Sequence, residues 1–195
     1  MKILGIIPAR GGSQGIPRKN IKPLAGQSLI QRSFQCGQQS GVLDRIILSS
    51  DDQEIINHGK SIGLEAPFVR PAEFAANNSA QIDVVVHALN TLTTDGYKPD
   101  AVLLLQPTSP ARKPEHIQRV VELLQDNDSV CTVIPIPKDH CPHYVMKITD
   151  GGFLDYFLPE GANYPRRQDV PQAYNRDGTI FLTRTSVLLE ERSFY

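Results

Sequence analysis

The chain has 195 residues, of which 40% are apolar, enough for one domain with a sizeable hydrophobic core. Its 20 basic and 21 acidic residues nearly cancel, so no overall field attracts nucleic acid or an anionic membrane, and any anion site must be local. Three cysteines in no framework spacing predict reduced thiols and a cytoplasmic protein. We find no signal-peptide core and no apolar run long enough to span a bilayer.

The first predicted element is a strand over residues 2–7, whose nearly unbroken apolar character is typical of a strand covered on both faces. It is followed by a glycine-rich basic segment, residues 10–20, which we call the glycine-rich loop. Ligands of open α/β sheets bind beyond the carboxyl ends of the strands. Glycines with positive φ can aim successive N–H groups at one anion, and basic side chains add charge. We therefore expect the loop to bind a polyphosphate.

The glycine-rich loop matches neither common phosphate motif. It lacks the Gly-Lys-Ser/Thr ending of a P-loop, and its glycine spacing differs from the dinucleotide fingerprint, which disfavours a dehydrogenase. On the glycines alone, a tight turn with solvated charges is the simpler interpretation. Three cations in one short loop, Arg10, Arg18 and Lys19, favour the anion site, although for Arg18 itself we predict a solvated surface charge.

Strand and helix patterns then alternate along the chain. Ser28 with Gln31 and Asp51 with Glu54 predict two capped helix starts, and Pro114 suits the first position of another helix. The predicted helices cover residues 28–40, 51–62, 80–92 and 114–124, and the further strands cover residues 45–50, 101–106, 129–135 and 179–183.

This alternation predicts an α/β fold with three layers, in which helices cover both faces of a mostly parallel central sheet. Residues 138–171 break the pattern, because they are rich in proline, glycine, aromatic and charged residues, with short strand-like pieces at 144–149 and 153–157. We interpret this segment as an excursion from the main sheet within one domain over residues 1–195.

Five segments carry a more specific signal because they occur in a fixed order over nearly the whole chain. Their residues are Pro8, Ala9, Arg10, Gly11, Gly12, Ser13, Gly15, Pro17, Lys19 and Asn20; Arg70, Pro71, Ala72, Glu73, Phe74 and Ala75; Leu105, Gln106, Pro107, Thr108, Ser109, Pro110 and Arg112; Arg166, Arg167, Gln168 and Pro171; and Asn175, Asp177, Gly178, Ile180 and Phe181. Together they resemble the motifs of the acylneuraminate cytidylyltransferase family, the CMP-N-acetylneuraminic acid synthetases and their bacterial relatives. The resemblance implies a Rossmann-like nucleotidyltransferase fold with a small protruding dimerisation arm, and a homodimer.

The resemblance also implies a reaction. The anomeric 2-hydroxyl of a nonulosonic, sialic-type acid, a nine-carbon 2-keto sugar acid, would attack the α-phosphorus of CTP, releasing pyrophosphate and forming a CMP-sugar. Mg²⁺ would be expected, held mostly by the CTP phosphates, and we identify no metal ligand within the chain. The implied catalytic residues are Arg10 at the departing phosphates, Lys19 nearer the α-phosphate, and Arg167.

The implied binding residues fall into two groups. Those for the nucleotide are Ala9, Arg10, Gly12, Ser13, Asn20, Arg70, Ser79 and Gln81; those for the sugar are Gln106, Arg167, Gln168 and Phe181. Arginine suits the sugar's carboxylate because its fork binds carboxylates in bidentate geometry. Other roles stay open: Ser79 also suits a helix N-cap, and Asn20 also suits hydrogen bonds that hold the loop.

Several alternatives stay open. Cys131, His140, Cys141 and His143 fit no structural zinc template well, and His87 on an apolar helical face is typical of a packed core histidine. Family members usually continue into an Ile-Asp-Ile-Asp-like segment that this sequence lacks, so we expect the C-terminal part of the family domain to be missing. A nucleotide-binding protein without catalysis, or a relative that activates another sugar acid such as keto-deoxyoctonate, is therefore retained.

Overall fold

A computed structural model describes residues 1–12 and 15–195 of the chain. These residues form two compact units, which we call the main unit, Met1–Cys131 with Gly178–Tyr195, and the second unit, Thr132–Asp177. The second unit contains the predicted excursion, with bounds a few residues wider on each side.

A five-stranded sheet organises the main unit. Its strands are β1 (Ile3–Pro8), β4 (Arg45–Ser49), β5 (Ala101–Leu104), β6 (Ser129–Pro135) and β9 (Tyr174–Arg184), in the spatial order β4-β1-β5-β9-β6. β1 pairs in parallel with β4 and with β5, so that Gly5 lies between Ile46 and Leu103. β9 pairs with β5 in the antiparallel direction. The predicted α/β class with a mostly parallel sheet is therefore confirmed.

Helices follow the strands where the sequence predicts them. They are α1 (Leu29–Ser40), α2 (Gln53–Ser61), α3 (Gln81–Thr94), α4 (Pro114–Leu123) and the unpredicted short helix α5 (Thr185–Glu190). Ser28 caps α1, because its Oγ accepts a hydrogen bond from Gln31 N at 3.1 Å, and Gly41 ends the helix in the left-handed region at φ 69°. Pro114 occupies the start of α4 as predicted.

Two hydrophobic clusters lie on opposite faces of the sheet. Successive β1 side chains alternate between them, with Ile7 packing among residues of α1 and α4 and Ile6 packing among residues of α3 and α5. Both isoleucines are fully buried, and burying such a side chain stabilises a fold by about 1.5–3 kcal/mol. This arrangement is the predicted three-layer architecture.

The strand boundaries shift by up to five residues from those predicted. β5 ends at Leu104, so Gln106 follows the strand instead of closing it. β9 begins at Tyr174, before the predicted start at residue 179. The composition around Gly178, which has positive φ, resembles a loop, but the strand continues through it. A small hairpin of β2 (Pro23–Leu24) and β3 (Gln27–Ser28), which the sequence pattern did not predict, precedes α1.

The second unit has little regular structure. It contains an antiparallel hairpin of β7 (Met146–Ile148) and β8 (Leu154–Tyr156), close to the two predicted strand pieces, and several single 3-10 turns. Large apolar side chains lie exposed near this hairpin, with Ile148 76% and Phe153 75% accessible. In the part of the chain that the structure describes, no helix is both long and apolar enough to cross a membrane.

Candidate functional site

A cleft of about 320 Å³ opens in the main unit, beyond the carboxyl ends of β1 and β5. Its lining comes from the end of β1, the glycine-rich loop, the segment between α2 and α3, the start of α3 and the turn after β5. The residues that line it are Pro8, Arg10, Gly15, Lys19, Asn20, Arg70, Gln81, Gln106, Pro107 and Thr108. Three of the five sequence motifs line this cleft, together with the start of α3. A fourth motif, at residues 175–181, belongs to the main unit from Gly178 onward.

The backbone of the glycine-rich loop differs from the prediction. Gly11 and Gly12 do not adopt positive φ, whereas Arg18 does, at 57°. The Gly11 N–H donates to Asp51 Oδ1 at 3.1 Å, so this amide is committed to a carboxylate and not to an outside anion. Glycine is needed at position 11 for space, since a Cβ there would lie 2.5 Å from Asp52 Oδ2. Ser13, a predicted nucleotide contact, lies outside the described residues.

Acidic residues at the start of α2 hold the loop. Arg18 is exposed, as predicted for a solvated surface charge, and it also contacts the Asp52 carboxylate and pairs with Glu54 at 2.9 Å. The hydrogen bond that Arg18 donates to the Asp52 carboxylate raises the pKa of Arg18. Burial alone would raise the pKa of Asp52, but the Ile55 N–H and the Arg18 guanidinium hold it below its ordinary value.

The N-cap of α2 is one residue later than predicted. Asp52 Oδ1 accepts hydrogen bonds from Glu54 N at 2.9 Å and Ile55 N at 3.1 Å, whereas Asp51 turns to Gly11. Two adjacent aspartates thus divide two tasks, one capping the helix and the other fixing the loop.

Asn20 and Arg10 connect the loop to other segments of the main unit. Asn20 is 5% exposed, its Nδ2 donates to Arg10 O at 3.3 Å, and its carbonyl accepts from Ile30 N at 3.2 Å. Arg10 Nη1 donates to Ala76 O at 2.9 Å and stays partly exposed. Ala9 is fully buried in the core, and neither it nor the exposed Gly12 lines the cleft. For Asn20 the hydrogen bonds support the loop-holding alternative, and its place in the lining also allows a ligand contact.

Arg70 is the deepest cation of the cleft. It is 4% exposed, and its guanidinium donates to Ser49 Oγ at 3.1 Å, to the Ser49 carbonyl, and to Phe74 O at 3.4 Å. Burial lowers the pKa of Arg70 to about 10, with Asp51 opposing and Arg10 adding to the shift. A cation with so little water around it gains strongly from an arriving anion.

Behind Arg70 lies His87, for which we predicted a packed core position. Its ring packs edge-on against Phe68 at 5.0 Å and lies tilted at 5.3 Å from Phe74, although the side chain is only partly buried. Burial lowers the pKa of His87, and the nearby Arg70 lowers it further, whereas Glu73 raises it. The neutral imidazole is therefore the form that this packing favours.

The start of α3 corrects a second cap. Ser79 Oγ donates to Glu73 O at 2.7 Å and the N-cap is Ala80, which makes no side-chain cap, so the alternative role of Ser79 as N-cap was wrong. Gln81, the first residue of α3, lines the cleft. Its Nε2 is buried and has no hydrogen-bond partner among the described residues. Such a donor gains from an acceptor on a ligand.

The predicted sugar-binding residues fall in both units. Gln106 lines the cleft, and Phe181 of β9 is partly buried, with its ring centroid 5.9 Å from that of Phe194. Arg167 and Gln168 belong to the second unit, where both are exposed and Arg167 opens a 3-10 turn. Their assignment to the sugar stays a prediction. The neighbouring Arg166 pairs with Asp169 at 2.7 Å.

The charges of the cleft suit an anion. Three cationic side chains line it, Arg10, Lys19 and Arg70, and its lining residues include no carboxylate. Nowhere in residues 1–12 and 15–195 do three or more His, Cys, Asp or Glu side chains form a group fit to hold a metal ion. Cys141 Sγ lies 3.8 Å from His143 Nδ1 and donates to Pro171 O.

Some residues that shape the site were missed from sequence. Asp51 and Asp52 fix the loop, and Ala76 supplies a carbonyl to Arg10. The sequence predicted Asp51 as a helix cap, but it gave no signal that either aspartate holds the loop. Arg112 was recognised as part of a motif but given no role, and it lies 7% exposed between three elements.

The fold and the cationic cleft at the strand ends define a nucleotide-binding α/β protein. Comparison with known proteins makes this more specific. A family model described as Cytidylyltransferase matches residues 4–192, and the chain therefore belongs to the cytidylyltransferase family.

Two relatives match over nearly the whole of this chain. The CMP-N,N'-diacetyllegionaminic acid synthase of Legionella pneumophila is 33% identical over 198 residues, covering 100% of this chain and 83% of the relative. The pseudaminic acid cytidylyltransferase of Campylobacter jejuni is 32% identical over 191 residues, covering 98% and 82%. Among solved structures, a CMP:2-keto-3-deoxy-manno-octonic acid synthetase complexed with CTP has a TM-score of 0.74 at 20% identity, covering 98% of this chain and 78% of that one. This last likeness concerns the fold.

Proposed function

We propose that the protein transfers a cytidylyl group from CTP to a nonulosonic acid, giving a CMP-sugar and pyrophosphate. The observation that carries the proposal is the convergence of Arg10, Lys19 and Arg70 in one cleft with Gln81 and Gln106. The full-length likeness to enzymes named for legionaminic and pseudaminic acids supports the sugar class.

The triphosphate lies along the cationic side of the cleft in this proposal. Arg10 stabilises charge on the departing β- and γ-phosphates, and Lys19 acts nearer the α-phosphate. Arg70 and Gln81 hold the nucleoside, with Ser79 and Asn20 supporting the segments on which they lie. The sugar hydroxyl attacks the α-phosphorus from the Gln106 side, in line with the leaving pyrophosphate.

Mg²⁺ enters as a companion of CTP. The described residues that line the cleft carry no carboxylate, so they do not form a site for a free Mg²⁺ ion. Mg²⁺ prefers phosphate oxygens and retained waters, which is consistent with delivery by the nucleotide.

The second unit supports two further parts of the proposal. Arg167 and Gln168 are proposed to bind the sugar's carboxylate and hydroxyls, and the exposed apolar hairpin β7–β8 is proposed to pair with a second copy of the chain. Light scattering on the wild-type chain and on Ile148→Asp tests the homodimer, which the substitution should dissociate. A wild-type monomer at micromolar concentration would contradict it.

The central experiment is pyrophosphate release with CTP and Mg²⁺ and a panel of legionaminic, pseudaminic, sialic and keto-deoxyoctonic acids. Turnover with a nine-carbon acid supports the proposal, and turnover with keto-deoxyoctonate alone would assign the chain to the other sugar class. CTP that raises the melting temperature without any turnover would indicate a nucleotide-binding protein without catalysis. UTP, ATP and GTP in the same assay test the choice of base.

A further inference from the structure

A buried guanidinium, that of Arg112, connects three elements beside the cleft. It is 7% exposed, although arginine is seldom buried without a specific role. Arg112 Nε donates to Thr179 O of β9 at 2.8 Å, and Nη2 donates to Gln106 O at 2.7 Å. Nη1 lies 3.4 Å from Ser33 Oγ of α1. The Arg112 side chain therefore fixes the distance between the turn after β5 and the edge of β9.

One of the two carbonyls held by Arg112 belongs to Gln106, the residue that faces the proposed sugar, and the other belongs to Thr179. A Cβ built on Gly178, next to Thr179, would lie 3.5 Å from Gln106 Oε1, so the amide of Gln106 lies against the Gly178 backbone. Gly178 has φ 72°, a conformation that L side chains rarely adopt. Ser109 Oγ adds a weaker bond of 3.4 Å to Gly178 O.

One guanidinium holds both β9 and the turn after β5. Its loss would therefore change where the Gln106 amide points more than it would change the cationic side of the cleft. Arg10 is held by Ala76, and Arg70 is held by Ser49 and Phe74, none of which contacts Arg112 in these bonds. Lysine cannot replace the fork, because a single ammonium does not reach two carbonyls in fixed geometry.

We propose that Arg112 is a positioning residue for the acceptor end of the cleft, acting through Gln106 on binding of the sugar acid and not on binding of CTP. The inference rests on the proposed function for its substrates. It makes a prediction that a purely structural arginine does not, namely that the two substrates respond differently.

The test compares the wild type with Arg112→Lys, Gln106→Ala and the double variant. The matched control is Arg119→Lys, since Arg119 is exposed on α4 and pairs with Glu122 on the surface at 2.8 Å. Arg112→Lys should raise KM for the sugar acid about tenfold and KM for CTP about twofold or less. In the Gln106→Ala background the same substitution should have about a twofold effect or less, because residues that act through one another are not additive. Arg119→Lys should leave both constants unchanged.

Equal rises in both KM values, a fall in melting temperature with both KM values unchanged, or a full effect of Arg112→Lys in the Gln106→Ala background would each overturn the proposal. If Arg112→Lys does not fold, Ser109→Ala replaces it, with a smaller rise expected in KM for the sugar only and no rise counting against the proposal. If the wild type turns over no sugar, the proposed function fails but the positioning claim is still tested by NMR. The Gln106 side-chain amide signals, assigned by their loss in Gln106→Ala, should move or broaden in Arg112→Lys, and unchanged signals would refute it.

Discussion

The floor of the cleft and the glycine-rich loop both present positive charge, but they do so in opposite ways. Arg70 on the floor is 4% exposed and held by the Ser49 and Phe74 carbonyls, whereas the side chain of Arg18 in the loop is 47% exposed and held by acidic partners. The floor excludes water and is fixed before a ligand arrives. The loop remains hydrated, so its electrostatic interactions are weaker and are screened by salt.

This difference teaches how the cleft can bind a strongly charged tail without being permanently strained. A single cation, whose pKa is lowered by its burial, lies at the floor and is held by hydrogen bonds. The loop cations add attraction at little cost to folding, because solvent already stabilises them. Substitutions on the floor should therefore affect both stability and activity, and substitutions in the loop should affect activity alone.

The largest effect is expected for Arg70→Met. Removing a preorganised cation from a water-poor site should lower kcat/KM for CTP about 10²–10³-fold. The variant also leaves the Ser49 and Phe74 carbonyls without this donor, which should lower the free energy of unfolding by about 1–3 kcal/mol. Pyrophosphate release and urea unfolding measure the two effects. Arg45→Met, which removes an arginine paired with Glu65 away from the cleft, is the control and should keep wild-type activity.

Lys19→Ala should have the next largest effect. We expect KM for CTP to rise about tenfold with the melting temperature nearly unchanged, because a partly exposed cation contributes to binding more than to folding. Raising the ionic strength from about 0.05 to 0.3 M should weaken CTP binding less in this variant than in the wild type. Lys22→Ala, an exposed lysine three residues further on, serves as the control. A similar loss for Lys22→Ala would mean that only overall charge matters.

His87 should make stability depend on pH. Its pKa is lowered in the folded chain, so the unfolded chain binds more protons, and stability should fall as pH drops below the ordinary histidine pKa of about 6.5. Two charged groups also act on the pKa of His87: Arg70 lowers it further and Glu73 raises it. His87→Gln should therefore lose less melting temperature than the wild type between about pH 7.5 and 5.5. His140→Gln, in an exposed turn, should keep the wild-type slope, and an unchanged slope in His87→Gln would contradict the assignment.

Arg18→Ala should have the smallest effect. Its partners Asp52 and Glu54 are acidic, so Arg18 orders the loop without facing the cleft directly. We expect KM for CTP to change about threefold or less, because exposed ion pairs contribute little. Steady-state kinetics beside Lys19→Ala measure the difference. A loss as large as that of Lys19→Ala would show that the loop depends on this ion pair as the floor depends on its buried bonds.

The sequence predicted most of the architecture because hydrophobic periodicity and β/α alternation are local properties of the chain. For β1, β4, β5 and the helices between them, the predicted ends lie no more than two residues from the observed ends. Arg10, Lys19, Arg70, Gln81 and Gln106 were predicted as site residues, and the structure brings them to one cleft.

The failures have one cause in common, since each depends on a contact that residue type and spacing do not reveal. Asp51 and Asp52 are both residues that suit an N-cap, but Asp51 accepts from Gly11 N in the loop and Asp52 caps the helix. Ser79 suits an N-cap by residue type, but Glu73 O captures its hydroxyl. The role of Arg112 depends on β9, which is 67 residues away in sequence at Thr179, and no local pattern reveals that pairing.

The position of the second unit in the chain has an evolutionary consequence. The segment Thr132–Asp177 leaves through β6 and returns through β9, which are neighbours in the same sheet. An insertion whose two ends are adjacent can be exchanged or lengthened without rebuilding the strands whose ends open onto the cleft. Changes of length or sequence inside this segment are therefore compatible with an unaltered β1 and β5.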